Sequence, residues 1–159
     1  MSRLPSLGPR GEGWFALQLL LLAALVAAGW LTGPDWAGVA RLASGAVGAL
    51  LVGAGLLLAF RAIIELDRSI SPLPRPTHNG ELVQRGLYRH VRHPIYVGVM
   101  LSALGFCLLV ASLAALLLCA LLVVLLDLKA RREEAWLAQH YPDYADYVRR
   151  TRRFVPRLY

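Results

Sequence analysis

Most of the residues able to do chemistry lie in two short stretches. The first is Gly86-Leu87-Tyr88-Arg89-His90-Val91-Arg92-His93-Pro94-Ile95-Tyr96-Val97-Gly98. The second is Arg131-Arg132-Glu133-Glu134, followed by Tyr141, Tyr144 and Tyr147 at a spacing of three. Pro94 suits the first position of a helix, which places His93 at the N-cap. Two arginines and two histidines beside the free N–H groups and positive dipole end of that helix make a place for an anion. Gly98 allows close backbone approach, and Tyr88 and Tyr96 supply ring faces. Glu133 and Glu134 supply negative charge opposite. An anion holder facing a cation holder suits a zwitterion that also carries a large aromatic group.

Each feature taken singly has a plainer reading. Arg89 and Arg92 serve equally as interfacial anchors, and Glu133 and Glu134 as a solvated helix face paired with Arg131 or Lys129. His90 and His93, three apart, lack a third ligand, so no metal is expected. The tyrosine triplet reads as an interfacial aromatic face. Only the joint occurrence points to a site.

These stretches sit among long apolar blocks. A first span runs Trp14–Leu31, with Trp14 and Trp30 at its ends, where interfacial aromatics belong. After a Gly33-Pro34-Asp35 turn, a second runs Trp36–Phe60, interrupted only by Arg41. Within it Gly45, Ala49 and Gly53, four apart, predict a small-residue packing face. Residues 61–93 read as a polar loop, extended around Pro72, Pro74 and Pro76. Residues 94–126 carry no formal charge. As one helix they would extend about 50 Å, against a hydrocarbon core of about 30 Å. Two spans, 94–110 and 112–128, turning at Ala111-Ser112 with Ser112 as N-cap, fit better than the alternative of one strongly tilted helix. Beyond them 129–159 forms a C-terminal segment, amphipathic until Pro142 and then aromatic and Arg-rich. The expected fold is all-α: a polytopic membrane protein of about four transmembrane helices, with a C-terminal hairpin and an amphipathic tail.

Composition agrees with membrane as the solvent. The chain has 159 residues, 57% of them hydrophobic, and a mean hydropathy of +0.53. The formal net charge of +7 comes almost wholly from arginine, Lys129 being the one lysine. Because these residues flank apolar spans, they read as a skirt on anionic headgroups, not as a nucleic-acid surface. With four spans, 16 of the 17 basic residues share one side, all but Arg41. By the positive-inside rule that side, holding both termini, is cytoplasmic. The first block is read as a retained helix instead of a cleaved signal. Cys107 and Cys119 read as small apolar packing residues.

The stretch Gly86-Leu87-Tyr88 through Arg92-His93-Pro94-Ile95-Tyr96-Val97-Gly98, joined to Glu133-Glu134, Leu137, Tyr144, Tyr147 and Phe154-Val155-Pro156, resembles the isoprenylcysteine carboxyl methyltransferase family. Phospholipid N-methyltransferases are similar relatives. The resemblance covers about residues 78–156 and implies S-adenosylmethionine as cofactor, bound at the cytosolic end of the last helices. The absence of a Gly-x-Gly-x-x-Gly dinucleotide fingerprint agrees with such a site. By the same resemblance Glu81, Leu82, Val83 and Tyr88 would line the cofactor. His93, Pro94 and Tyr96 would share that pocket, Glu133 would contact the cofactor from the opposing helix, and Glu134 would contribute more weakly.

Where the carboxyl methyltransferases carry an arginine four residues before the first glutamate, this chain has Lys129. Lysine keeps the charge but loses the bidentate fork for a carboxylate, so the acceptor stays open: an isoprenylcysteine-like carboxylate, a phospholipid or a small isoprenoid. Arg92 and Lys129 are candidates for orienting it. The methyl donor is already activated, so positioning carries the reaction, and no side chain is assigned as general base. The expected partners are a lipophilic or lipidated acceptor and membrane lipids. An NADPH-dependent membrane reductase of the sterol-reductase type, and a non-catalytic membrane subunit or small transporter, are the alternatives.

Overall fold

Glycine and proline set the element boundaries in the computed structural model, which describes residues 4–66 and 82–156. Gly11, at a left-handed φ of 83°, turns the chain into α1 (Glu12–Leu31). Past the Gly33-Pro34-Asp35 turn comes α2 (Gly38–Leu66), then, beyond residues 67–81, a 3₁₀ turn at Gly86–Arg89. Pro94 opens α3 (Pro94–Val110), Ser112 caps α4 (Leu113–His140), and a short α5 (Tyr144–Arg150) follows Pro142. Among the described residues the sole β-type pairing is an isolated parallel bridge between Val91 and Arg152.

α1, α2 and α4 are long and apolar enough to cross a membrane; α3 is equally apolar and has 17 residues. At 1.5 Å per residue α3 rises about 26 Å, a few ångströms short of a typical hydrocarbon core. Large side chains such as Leu50, Leu57, Leu117 and Leu121 stand exposed along α2 and α4. Apolar surface of that extent belongs against lipid. The protein is an integral membrane protein with an all-helical fold.

α2 runs six residues further than the span expected from sequence. Ala62, Ile63 and Ile64 sustain the helix, and Arg61 pairs with Glu65 one turn on, at 3.4 Å. The turn between α3 and α4 uses Ala111 in the left-handed region (φ 56°), and the Ser112 hydroxyl accepts from Ala115 N at 3.2 Å.

α2 and α3 pack antiparallel with their backbones in near contact. A Cβ on Gly48 would lie 2.6 Å from the Gly105 carbonyl oxygen, and one on Gly98 2.6 Å from that of Gly55. The small-residue face is therefore Gly48/Gly55 and not the Gly45/Ala49/Gly53 stripe, since Gly45 and Gly53 have nothing within 4 Å. The closeness that Gly98 allows is to α2. On its other side α3 packs with α1 and α4 around Leu25, Ala103, Cys107, Ala115, Cys119, Leu122 and Leu126. Both cysteines are free and buried there.

At the end of the bundle away from the charged stretches, hydrogen bonds join the two turns. Asp35 N donates to Ala111 O at 2.8 Å, and the Asp35 carboxylate accepts from Leu113 N at 2.6 Å. The Thr32 and Ser112 hydroxyls meet at 2.9 Å.

Candidate functional site

The charged stretches meet at the opposite end of the bundle, beyond the apolar part of α4, which closes at Leu126. Glu65, at the end of α2, holds the 3₁₀ turn by accepting from Leu87 N at 2.6 Å, with Gly86 (φ 57°) against its carboxylate. The turn buries Tyr88, whose hydroxyl donates to Ala62 O at 3.4 Å and whose carbonyl accepts from the Tyr147 hydroxyl at 2.7 Å. Residues 90–93 then run beside the C-terminal strand-like segment. Arg92 N donates to Arg152 O at 2.8 Å and His93 N to Arg153 O at 3.2 Å. These bonds deliver His93 to the start of α3. There its ring makes no cap bond to the helix and is left for side-chain partners.

His93 lies between the two glutamates. Its Nε2 is 3.2 Å from Glu134 Oε1 and its Nδ1 3.8 Å from Glu133 Oε2. The ring stacks on Tyr96, with centroids 5.2 Å apart and planes within 8°. Tyr96 in turn donates its hydroxyl to Glu133 Oε2 at 2.8 Å.

The two carboxylates differ sharply. Glu134 takes Arg92 Nε at 2.9 Å, Arg153 Nη2 at 2.8 Å and Nε at 3.1 Å, and His93. Burial disfavours its charge, but His93, Arg153 and Arg92 outweigh that and hold its carboxyl well below the usual carboxylate range. Glu133 has Tyr96 and His93 as its near partners, and its side chain is 25% exposed against 14% for Glu134. Of the pair, Glu133 is the one that opens onto surrounding space.

The sequence-predicted residues divide accordingly. His93, Pro94, Tyr96, Glu133 and Glu134 come together. Arg92 joins them, but its guanidinium is taken by Glu134 and by Thr151 O at 2.9 Å, while Arg89 and His90 are exposed. The expected anion holder of two arginines and two histidines is therefore reduced to His93 and the α3 N-terminus, because Arg92 serves Glu134. Leu82 and Val83 are half-buried in the lead-in to the 3₁₀ turn. Glu81 lies outside the described residues.

Tyr144 and Tyr147 pack inside as the buried floor of this region and do not form an interfacial face. Burial pushes both phenols above their ordinary range.

Lys129 turns the other way, into the bundle, and is fully buried. Its Nζ donates to Gln18 Oε1 on α1 at 2.7 Å, 5.5 Å from the Phe15 ring centroid and 5.2 Å from that of Tyr96. Tyr96 thus lies near both His93 and Lys129.

Sequence reasoning missed Gln18, Phe15, Glu65, Asp127 and Arg153. Gln18 had a signal, being the one amide within the apolar run of α1. The arginines of the tail gave none beyond charge.

Among the described residues no group of three His, Cys, Asp or Glu side chains is placed to hold a metal ion. The arrangement brings a carboxylate, an imidazole and a phenol hydroxyl into mutual contact, with the Glu133 side chain more exposed than that of His93. That is equipment for binding and orienting a charged molecule.

The profile of a family described as phospholipid methyltransferase matches residues 43–144. Three curated proteins are also similar. The cobalt-zinc-cadmium resistance protein CzcN of Cupriavidus metallidurans is 41% identical over 81 residues, 50% of this chain and 38% of that protein. The nickel-cobalt-cadmium resistance protein NccN of Alcaligenes xylosoxydans is 35% identical over 79 residues, 49% of this chain and 37% of that protein. A protein-S-isoprenylcysteine O-methyltransferase of Schizosaccharomyces pombe is 30% identical over 106 residues, 64% of this chain and 45% of that protein. The matched stretches span less than half the length of each of these relatives.

Proposed function

We propose that this chain, which belongs to the phospholipid methyltransferase family, transfers a methyl group from S-adenosylmethionine to a lipophilic acceptor at the cytosolic face of a membrane. The observation that carries the reading is the meeting of His93, Tyr96 and Glu133 at the mouth of the α3–α4 hairpin, with His93 Nδ1 3.8 Å from the Glu133 carboxylate. The family profile covers α3 and α4 up to Tyr144, and with them this junction.

The donor set fits the cofactor's chemistry. Its sulfonium and ammonium call for a carboxylate, which Glu133 offers half-open to its surroundings. Its own carboxylate calls for N–H donors, which the His93 ring and the first turn of α3 offer. Its adenine calls for an aromatic or apolar wall. When bound, the cofactor supplies an activated methyl group, and the remaining work is orientation. Tyr96 holds Glu133 by its hydroxyl, so that the carboxylate keeps one rotamer. Pro94 fixes the backbone entering α3. The packed tyrosines beneath exclude water and strengthen the charged contacts above them.

The acceptor is lipophilic on this reading. It arrives laterally between helices and meets the cofactor where apolar span gives way to charged cap. On the same reading Lys129, 5.2 Å from the Tyr96 ring centroid, orients it. Arg92 acts through Glu134. The charge distribution supports a topology with both termini in the cytoplasm.

Binding of labelled S-adenosylmethionine to the purified protein, followed by incubation with total membrane lipid, tests the reading. Glu133→Gln and His93→Ala are each expected to weaken cofactor binding tenfold or more, about 1.4 kcal/mol per decade, and the wild type to label a lipid. Unchanged affinity in both variants removes this pocket from consideration.

A further inference from the structure

The segment after α5 lies outside the stretch matched by the family profile, which ends at residue 144, yet it touches the candidate site at several points. Its backbone carbonyls at Arg152 and Arg153 accept from Arg92 N and His93 N. The Phe154 ring lies 6.0 Å from the His93 ring, tilted by 56°. Above all, Arg153 grips Glu134 with both Nη2 (2.8 Å) and Nε (3.1 Å), while its Nη1 reaches Asp127 at 3.0 Å, two helical turns earlier on α4.

Such a two-point grip fixes a carboxylate in plane as well as in place, which lysine cannot do. Glu134 is the partner of His93 Nε2. The plane in which Glu134 is held therefore sets the angle of the His93 ring, whose other nitrogen, Nδ1, faces Glu133 at 3.8 Å.

Resting on the methyl-transfer reading above, we propose that Arg153 is a positioning residue of the cofactor site: it acts through Glu134 to orient His93 without touching the ligand itself. The strap of residues 151–154 thereby supports the site from outside the matched stretch.

The experiment uses the full chain in lipid nanodiscs, with calorimetric titration of S-adenosylmethionine and of S-adenosylhomocysteine. Arg153→Gln is expected to weaken both ligands by the same factor, tenfold or more, because the lost orientation concerns the end they share and not the sulfonium. Arg153→Lys is expected to lose about threefold, and millimolar methylguanidinium to restore Arg153→Gln most of the way. Wild-type affinity in both variants overturns the inference while leaving the reading intact. So does a loss that follows the fall in melting temperature alone and that methylguanidinium does not reverse, since that is the mark of a purely structural arginine. Failure of the wild type to bind either ligand overturns the methyl-transfer reading, and the role of Arg153 with it.

Discussion

α3 is held in two ways that share almost no physics. Along its length it meets α2 through bare backbone, with Gly98 and Gly105 against Gly55 and Gly48. At its first residues it meets a knot of charge, in which Arg92, His93, Glu134, Arg153 and Asp127 are joined by bonds of 2.8–3.2 Å. The first contact is shape without polarity, suited to lipid surroundings where burial of apolar surface gives helices no reason to associate. The second is polarity in fixed geometry, suited to recognising a charged molecule. The two contacts are separated along the helix, so the packed length and the charged end can be altered independently.

The largest test of that contrast lies at the charged end. Glu134→Ala removes the carboxylate between two arginines whose side chains are only 9% and 16% exposed. Breaking a buried pair from one side typically costs about 3–5 kcal/mol. A drop in melting temperature larger than for any glycine variant is expected in detergent. A drop no larger than that of a surface substitution would show that the knot contributes little to holding the fold.

Next comes Gly98→Ala. Its added methyl would sit 2.6 Å from the Gly55 oxygen and 2.7 Å from Ala59 Cβ, so α2 must retreat. Overpacking of this kind costs about 1–3 kcal/mol, read as reduced thermal stability; on the function proposed above, S-adenosylmethionine binding weakens much less than in His93→Ala.

A third prediction concerns acid. The folded-state pKa of Glu134 is depressed, so its contribution is fully present above the unfolded value of about 4.5 and fades as pH falls below that value toward the folded one. Wild-type melting temperature should fall between about pH 5 and pH 3, and Glu134→Gln should be flatter over the same window. The smallest effect belongs to Gly45→Ala, where nothing lies within 4 Å. There the change should be neutral, or stabilising by about 0.5–1 kcal/mol through helix propensity.

The hairpin is legible in the sequence because uncharged length is a hard constraint. Residues 94–126 exceed one crossing, and Ser112 is the residue type that starts a helix. The nearness of His93 to Glu133 follows from the same hairpin, which returns both ends to one face. The glycine stripe misled because two stripes exist on α2, and spacing within one helix does not choose between them. The partner does: Gly48 and Gly55 are seven apart, as are Gly98 and Gly105.

Arg153 and Asp127 were illegible for a different reason. An arginine in a basic tail looks the same whether it faces headgroups or a carboxylate 19 residues away. Gln18 and Lys129, 111 residues apart, required the bundle itself.

The bonds from Asp35 to Ala111 and Leu113 couple the α1–α2 corner to the α3–α4 corner at one membrane face. With Arg92 and His93 bound to Glu134 at the other end of the hairpin, α3 and α4 are fastened both above and below. A hairpin tied at both ends resists splaying, and the stitch at Asp35 extends that restraint to the α1–α2 corner.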